Sequence, residues 1–153
     1  MKARHQARVL AVQMLFQRDL NPGDLETALS DFWTLQPPTS PAARLYAETL
    51  VRGVESRRTE LDAALRAYAE HWDLERIGYV ERNIMRMALY EMRHVEEVPP
   101  VVAIDEAVEI AKEFNGTESA RFVNGILDRA AKELGRPARI GRPDPRFSVR
   151  KDD

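Results

Sequence analysis

Two groups of side chains in this sequence have usable chemistry, and both are suited to binding. Near the N-terminus, Arg4 and Arg8 stand one helical turn apart, with Lys2 and His5 beside them. Cations at a helix N-terminus oppose its macrodipole, by a few tenths to about 1 kcal/mol. A phosphate would resolve that conflict, because the side chains and the free N–H groups both attract it. A solvated helix end, whose charges cost little, explains the same residues without a ligand. Near the other end of the chain, Val123, Ile126, Leu127, Ala130 and Leu134 mark the apolar side of a helix. Phe122 lies about 110° from the middle of that side. Gly125 and Arg129 are its angular neighbours, with Arg121 and Lys132 further round. An aromatic ring among cations, beside a position that has no side chain, suits stacking of an unpaired nucleobase. Packing beneath a neighbouring helix or loop accounts for Phe122 equally well. Close helix packing would likewise explain Gly125, which costs about 1 kcal/mol relative to alanine inside a helix.

Catalytic patterns are absent. His5, His71 and His94 have no helical ligand spacing, and there is no HExxH pair, P-loop, GxGxxG or glycine-framed serine. The carboxylates Asp105, Glu106, Glu109 and Glu113 read as the wet face of an amphipathic helix rather than an acid–base pair. The chain has no cysteine, which excludes disulfides, thiolate metal sites and cysteine nucleophiles, and fits a reducing cytoplasm. No metal or cofactor site and no enzymatic activity is expected. A net charge of −2 means that any nucleic-acid binding must come from a local patch. No run is long enough to span a bilayer, and VLAVQMLF near the start is too short and too interrupted for a signal peptide.

The elements that must position these residues are helices. The stretch 77–93, IGYVERNIMRMALYEMR, is apolar on most sides, with Tyr79, Arg82, Arg86 and Arg93 as a narrow polar strip. Such a helix belongs at the centre of a packed domain. Around it the spacing predicts a first helix over 3–18 and a second that starts at Asp24. A third starts at Ser40-Pro41, and a fourth is capped by Ser56. A further amphipathic helix covers 101–114, with Val101, Ile104, Ala107, Val108, Ala111 and Phe114 facing inward, and Asn115-Gly116 stops it. The last helix runs from about Glu118 to Leu134, capped by Thr117 or Ser119. The fold class is all-α, with about seven helices in two small bundles around the central one. Residues 1–136 form the domain. Residues 137–153, rich in proline and arginine, read as a basic disordered tail.

Four stretches resemble the NusB family of bacterial transcription antitermination factors: ARHQARVLAVQMLFQ, VERNIMRMALYEM, VPPVVAIDEAVEIAKEFN and SARFVNGILD. The likeness spans roughly residues 3–134. It implies a noncatalytic all-helical adaptor that binds boxA-type single-stranded RNA of ribosomal RNA transcripts. The implied protein partner is NusE, a small-subunit ribosomal protein, and the setting is the antitermination complex on RNA polymerase. Some members of the family are homodimers. Carried over by position, the resemblance assigns Lys2, Arg4, Arg8 and Phe122 to RNA, with Glu118 near the same surface; Arg121 and Arg129 join the RNA-binding candidates as the cations that helical spacing sets around Phe122. The resemblance places Glu75 and Glu81 on the side offered to NusE, although an acid in a first helical turn, as at Glu81, is favoured by the dipole in any case. The opening arginine cluster is thinner than in many relatives, and Asp105 stands where asparagine is common. Two other readings compete: a helical scaffold that binds protein alone, and a regulatory domain associated with an RNA methyltransferase.

Overall fold

A computed structural model describes residues 2–134, apart from the side chain of Lys2. The basic tail expected at 137–153 lies outside the described residues. Seven α-helices follow one another: α1 Lys2–Leu20, α2 Leu25–Leu35, α3 Pro41–Ser56, α4 Arg58–Tyr68, α5 Tyr79–His94, α6 Pro100–Asn115 and α7 Thr117–Glu133. A short 3-10 turn, Leu74–Arg76, precedes α5. No strand occurs among the described residues, and no helix there is long and apolar enough to cross a membrane.

α5 is the hub. It touches α1, α3, α4, α6 and α7. α1 packs with α2 and α3, and α7 packs with α6 and α4, so two groups of helices share one central rod. Ile84, Met85, Met87, Ala88, Leu89 and Met92 are fully shielded, as a helix apolar on most sides requires. Its polar strip does not all face water, however. Arg86 is buried, and its guanidinium donates to both carboxylate oxygens of Asp62 on α4 (2.7 and 3.0 Å) and to Asp19 on α1 (3.1 Å). Asn83 braces the same network, donating to Asp19 at 2.8 Å. Burial lowers the affinity of Arg86 for its proton, but Asp62 and Asp19 outweigh this and hold it above its ordinary value. α3 packs on α5, and at Gly53 a Cβ would fall 2.1 Å from the Tyr90 ring.

Local signals set several ends. Asp24 accepts from the Thr27 amide (2.9 Å), and Ser40 accepts from that of Ala43 (3.2 Å) ahead of Pro41. Gly116, at φ 88°, takes the left-handed conformation that ends α6 and turns directly into α7. Other expected caps are not formed. Ser56 is the last residue of α3 and donates back to Gly53 O, so α4 starts without a side-chain cap. Neither Thr117 nor Ser119 caps α7, because both already lie inside the helix. In α6 the buried positions are Pro100, Ala103, Ile104, Ala107, Ile110 and Ala111, while Val101 and Val108 are half-buried and Phe114 is exposed. The inward stripe is thus rotated from the expected one, toward the positions that α5 and α7 cover.

Candidate nucleic-acid interface

The basic start of α1 is matched by the protein's own acids. Arg4 pairs with Glu97 at 3.3 Å and lies over the Tyr46 ring, 4.0 Å from its centroid. His5 meets Glu106 at 2.9 Å and Glu113 at 3.7 Å. Arg8 is 1% exposed: Nε donates to both oxygens of Glu91 at 3.0 Å, and Nη1 donates to Glu106 at 3.2 Å. The Tyr46 hydroxyl donates to the same Glu91 carboxylate. Burial raises the proton affinity of Glu91, countered by the Arg8 charge and the Tyr46 hydroxyl. Burial pulls the Arg8 value down, but Glu91, Tyr46 and Glu106 carry it above its ordinary position. The choice between a solvated end and a phosphate site therefore has a third answer, since internal carboxylates offset the unfavourable dipole. This also corrects the surface role expected of Arg8. It shares a helical seam with Ala11, Val12 and Leu15, all buried, and that seam faces inward. Lys2 opens α1, but its side chain lies outside the described residues.

The second group forms where α7 passes the turn after α4. Phe122 is half-buried, and the ring of Trp72 meets it edge-on, with centroids 5.2 Å apart and planes at 78°. Trp72 itself is 59% exposed. Arg129 donates to the carbonyl of Tyr68 at 2.8 Å, a cation at the negative end of α4. Arg121, Glu118 and Gly125 are exposed. A Cβ at Gly125 would meet nothing within 4 Å, so close packing does not explain this glycine. Trp72 falls in the connection after α4, outside every helical pattern in the sequence. The signal available was a large aromatic between His71 and Asp73, in a stretch with no apolar period to bury it.

Glu81, in the first turn of α5, accepts from Ser119 (2.7 Å) and Asn115 (2.6 Å), which clamps the α6–α7 corner onto α5. Burial would raise its carboxyl, but the two hydrogen bonds prevail and hold it below the usual carboxylate value. Beside it, Tyr79 is exposed, stacked edge-on with Phe16 at 6.3 Å and covered by the Arg82 guanidinium at 4.5 Å. Glu75 is exposed and bonded by Arg66 at 3.0 Å, which lowers its proton affinity. Glu81 and Glu91 are ten residues apart, about 15 Å along the axis of α5. Phe122, Arg129 and Trp72 are thus brought together, and Ser119 on the same helix ties α7 to the N-terminal end of α5. Arg4 and Arg8 are held with Tyr46, Glu91 and Glu97 at its C-terminal end.

Among the described residues no cluster of three or more His, Cys, Asp or Glu side chains could hold a metal ion. The fold and its surface define an all-helical domain whose accessible chemistry is aromatic and charged. The NusB family model matches residues 5–132, and the chain belongs to the NusB family. It is 43% identical over 141 residues to the transcription antitermination protein NusB of Desulfosudis oleivorans, covering 88% of this chain and 89% of the relative. It is 40% identical over 136 residues to that of Sorangium cellulosum, covering 89% and 96%. Among solved structures, T. maritima NusB superimposes with a TM-score of 0.77 at 37% identity, over 85% of this chain and 91% of that one. A crystal structure of antitermination factors NusB and NusE in complex with dsRNA gives 0.78 at 26% identity, over 86% and 98%.

Proposed function

We propose that this chain is a noncatalytic adaptor in transcription antitermination, binding boxA-type single-stranded RNA of ribosomal RNA transcripts together with NusE. The observation that carries this reading is the surface of α7. A half-buried Phe122 lies three residues from an exposed Gly125 with open space above it, and Arg121 is exposed nearby. The structural likeness to a NusB in complex with NusE and dsRNA supports the partnership with NusE and with RNA. In this reading a base stacks at Phe122, while Lys2 and Arg4 attract phosphates. Arg121, Arg129 and Glu118 border the strand. Arg8 acts from beneath, since with Glu91 and Tyr46 it fixes the start of α1. NusE meets the side bearing Glu75 and Glu81, next to the exposed Tyr79. The adaptor works in the cytoplasm, on RNA polymerase, and a homodimer that covers the RNA surface is a resting form.

Anisotropy titration of a boxA-like RNA, with and without NusE and at two salt concentrations, tests the reading. Arg4→Ala should weaken binding to many sequences alike and reduce the salt slope. Phe122→Ala should weaken binding by about 1–3 kcal/mol. Unchanged titrations for both variants would reject this surface. A second reading, a scaffold that touches only protein, is favoured by one observation: Arg4, His5 and Arg8 all have acidic partners within the chain. It requires partner binding that survives ribonuclease, and no affinity for boxA-like RNA with or without NusE.

A further inference from the structure

We infer that Trp72 is a second base-contacting ring, forming with Phe122 a two-walled corner for an unpaired nucleobase; the inference rests on the RNA reading above. Tryptophan has one of the largest apolar surfaces of any side chain, and folding normally buries most of it. Here 59% stays exposed. The ring is not on a loose loop. Its own amide donates to Ala69 O at 2.8 Å, and the Tyr68 carbonyl just before it accepts from Arg129 of α7, also at 2.8 Å. On the other side, Asp73 accepts from the Glu75 amide at 3.1 Å, and Leu74 is buried. The turn therefore holds the indole against α7, where it meets Phe122 at 78°. The rings already touch edge to face, so a base does not enter between them; it stacks on the indole face left exposed, with Phe122 closing one side of the corner.

The local charge is mixed. His71, Arg76 and Arg121 are exposed around the corner, and so are Glu70, Asp73, Glu75 and Glu118. Stacking rather than phosphate attraction must then dominate at Trp72, and this gives a distinctive expectation. Loss of the indole should lower RNA affinity by a similar factor at low and high salt, whereas loss of a phosphate contact changes the salt slope.

The chain has two tryptophans, and the other, Trp33, is buried with its N–H on Glu48 at 2.7 Å. A Trp33→Phe protein, shown to be folded by circular dichroism, isolates the emission of Trp72. It is titrated with a short boxA-like single-stranded RNA and, separately, with NusE, while anisotropy of labelled RNA follows binding by the unmodified chain. The inference expects emission to be quenched and shielded from acrylamide as RNA saturates. It expects Trp72→Ala to bind about 5- to 100-fold more weakly with an unaltered salt slope, and Trp72→Phe to retain most of the affinity. RNA that saturates by anisotropy while Trp72 emission is unchanged and Trp72→Ala binds at full strength would overturn the inference and leave the RNA reading standing. A response to NusE but not to RNA would overturn it by assigning the ring to a protein interface. If the unmodified chain fails to bind RNA with or without NusE, both readings fall.

Discussion

Arg8 separates two accounts of the N-terminal helix, and they differ in what its removal should do. An Arg8→Ala variant would leave the Glu91 carboxylate, 0% exposed, with the Tyr46 hydroxyl and the Arg4 charge but without its paired guanidinium. Removing one member of a buried ion pair costs about 3–5 kcal/mol, because the other charge is stranded. Domains are typically stable by about 5–15 kcal/mol, so the variant keeps a folded state but loses a large part of its margin. With urea slopes of about 1–3 kcal/mol per molar, the unfolding midpoint should fall by at least about 1 M. Far-UV circular dichroism at 25 °C measures this directly. Replacing both partners, Arg8→Met with Glu91→Leu, should recover much of the loss, since apolar substitutes of similar size are often neutral or stabilising. Arg4→Ala, whose side chain is 23% exposed and paired with Glu97, should move the midpoint far less. An Arg8→Ala protein with an unshifted midpoint and a steep loss of RNA affinity would refute the reasoning and return Arg8 to the surface role expected from sequence.

Gly53→Ala should destabilise by about 1–3 kcal/mol despite alanine's better helix propensity, because the new methyl would overlap the Tyr90 ring. Adding Tyr90→Ala should make the loss smaller than the sum of the two single changes in thermal melts. Gly125→Ala should do the reverse, raising stability by up to about 1 kcal/mol because nothing lies within reach of its Cβ, while reducing RNA affinity in the anisotropy assay. Glu81 has a folded-state proton affinity below its unfolded value of 4.5, so its contribution is present above that pH and fades as pH falls through the folded value. Urea midpoints measured from pH 6 down to pH 3 should therefore decline less steeply for Glu81→Gln than for the unmodified chain.

What could be read from the sequence was local. Asp24, Ser40-Pro41 and Gly116 act through residues within one turn, and each ends or starts a helix where the pattern implies. The central position of α5 was legible because burial on most sides is a property of its own composition. What escaped reading depends on residues distant in the chain. Arg86 looks like a solvent-facing cation until Asp19 and Asp62 arrive from α1 and α4. Arg8 looks the same until Glu91 and Tyr46 close over it. Ser119 has the right chemistry for a cap, but Glu81 takes its hydroxyl. Of the expected RNA surface, Phe122, which periodicity sets away from the middle of the apolar side of α7, is half-buried, packed against the core and met by Trp72. Its neighbour Trp72 lies 50 residues earlier, and no period links the two.

The sharing of α5 by both groups of helices also bears on how the molecule comes apart. Its buried arginine ties α1 to α4, and its first-turn glutamate fastens the α6–α7 corner. Neither half can therefore open as an independent unit without exposing the rod that the other half needs. Unfolding should be all-or-none, and amide hydrogens in α5 should exchange last, at the rate of global opening.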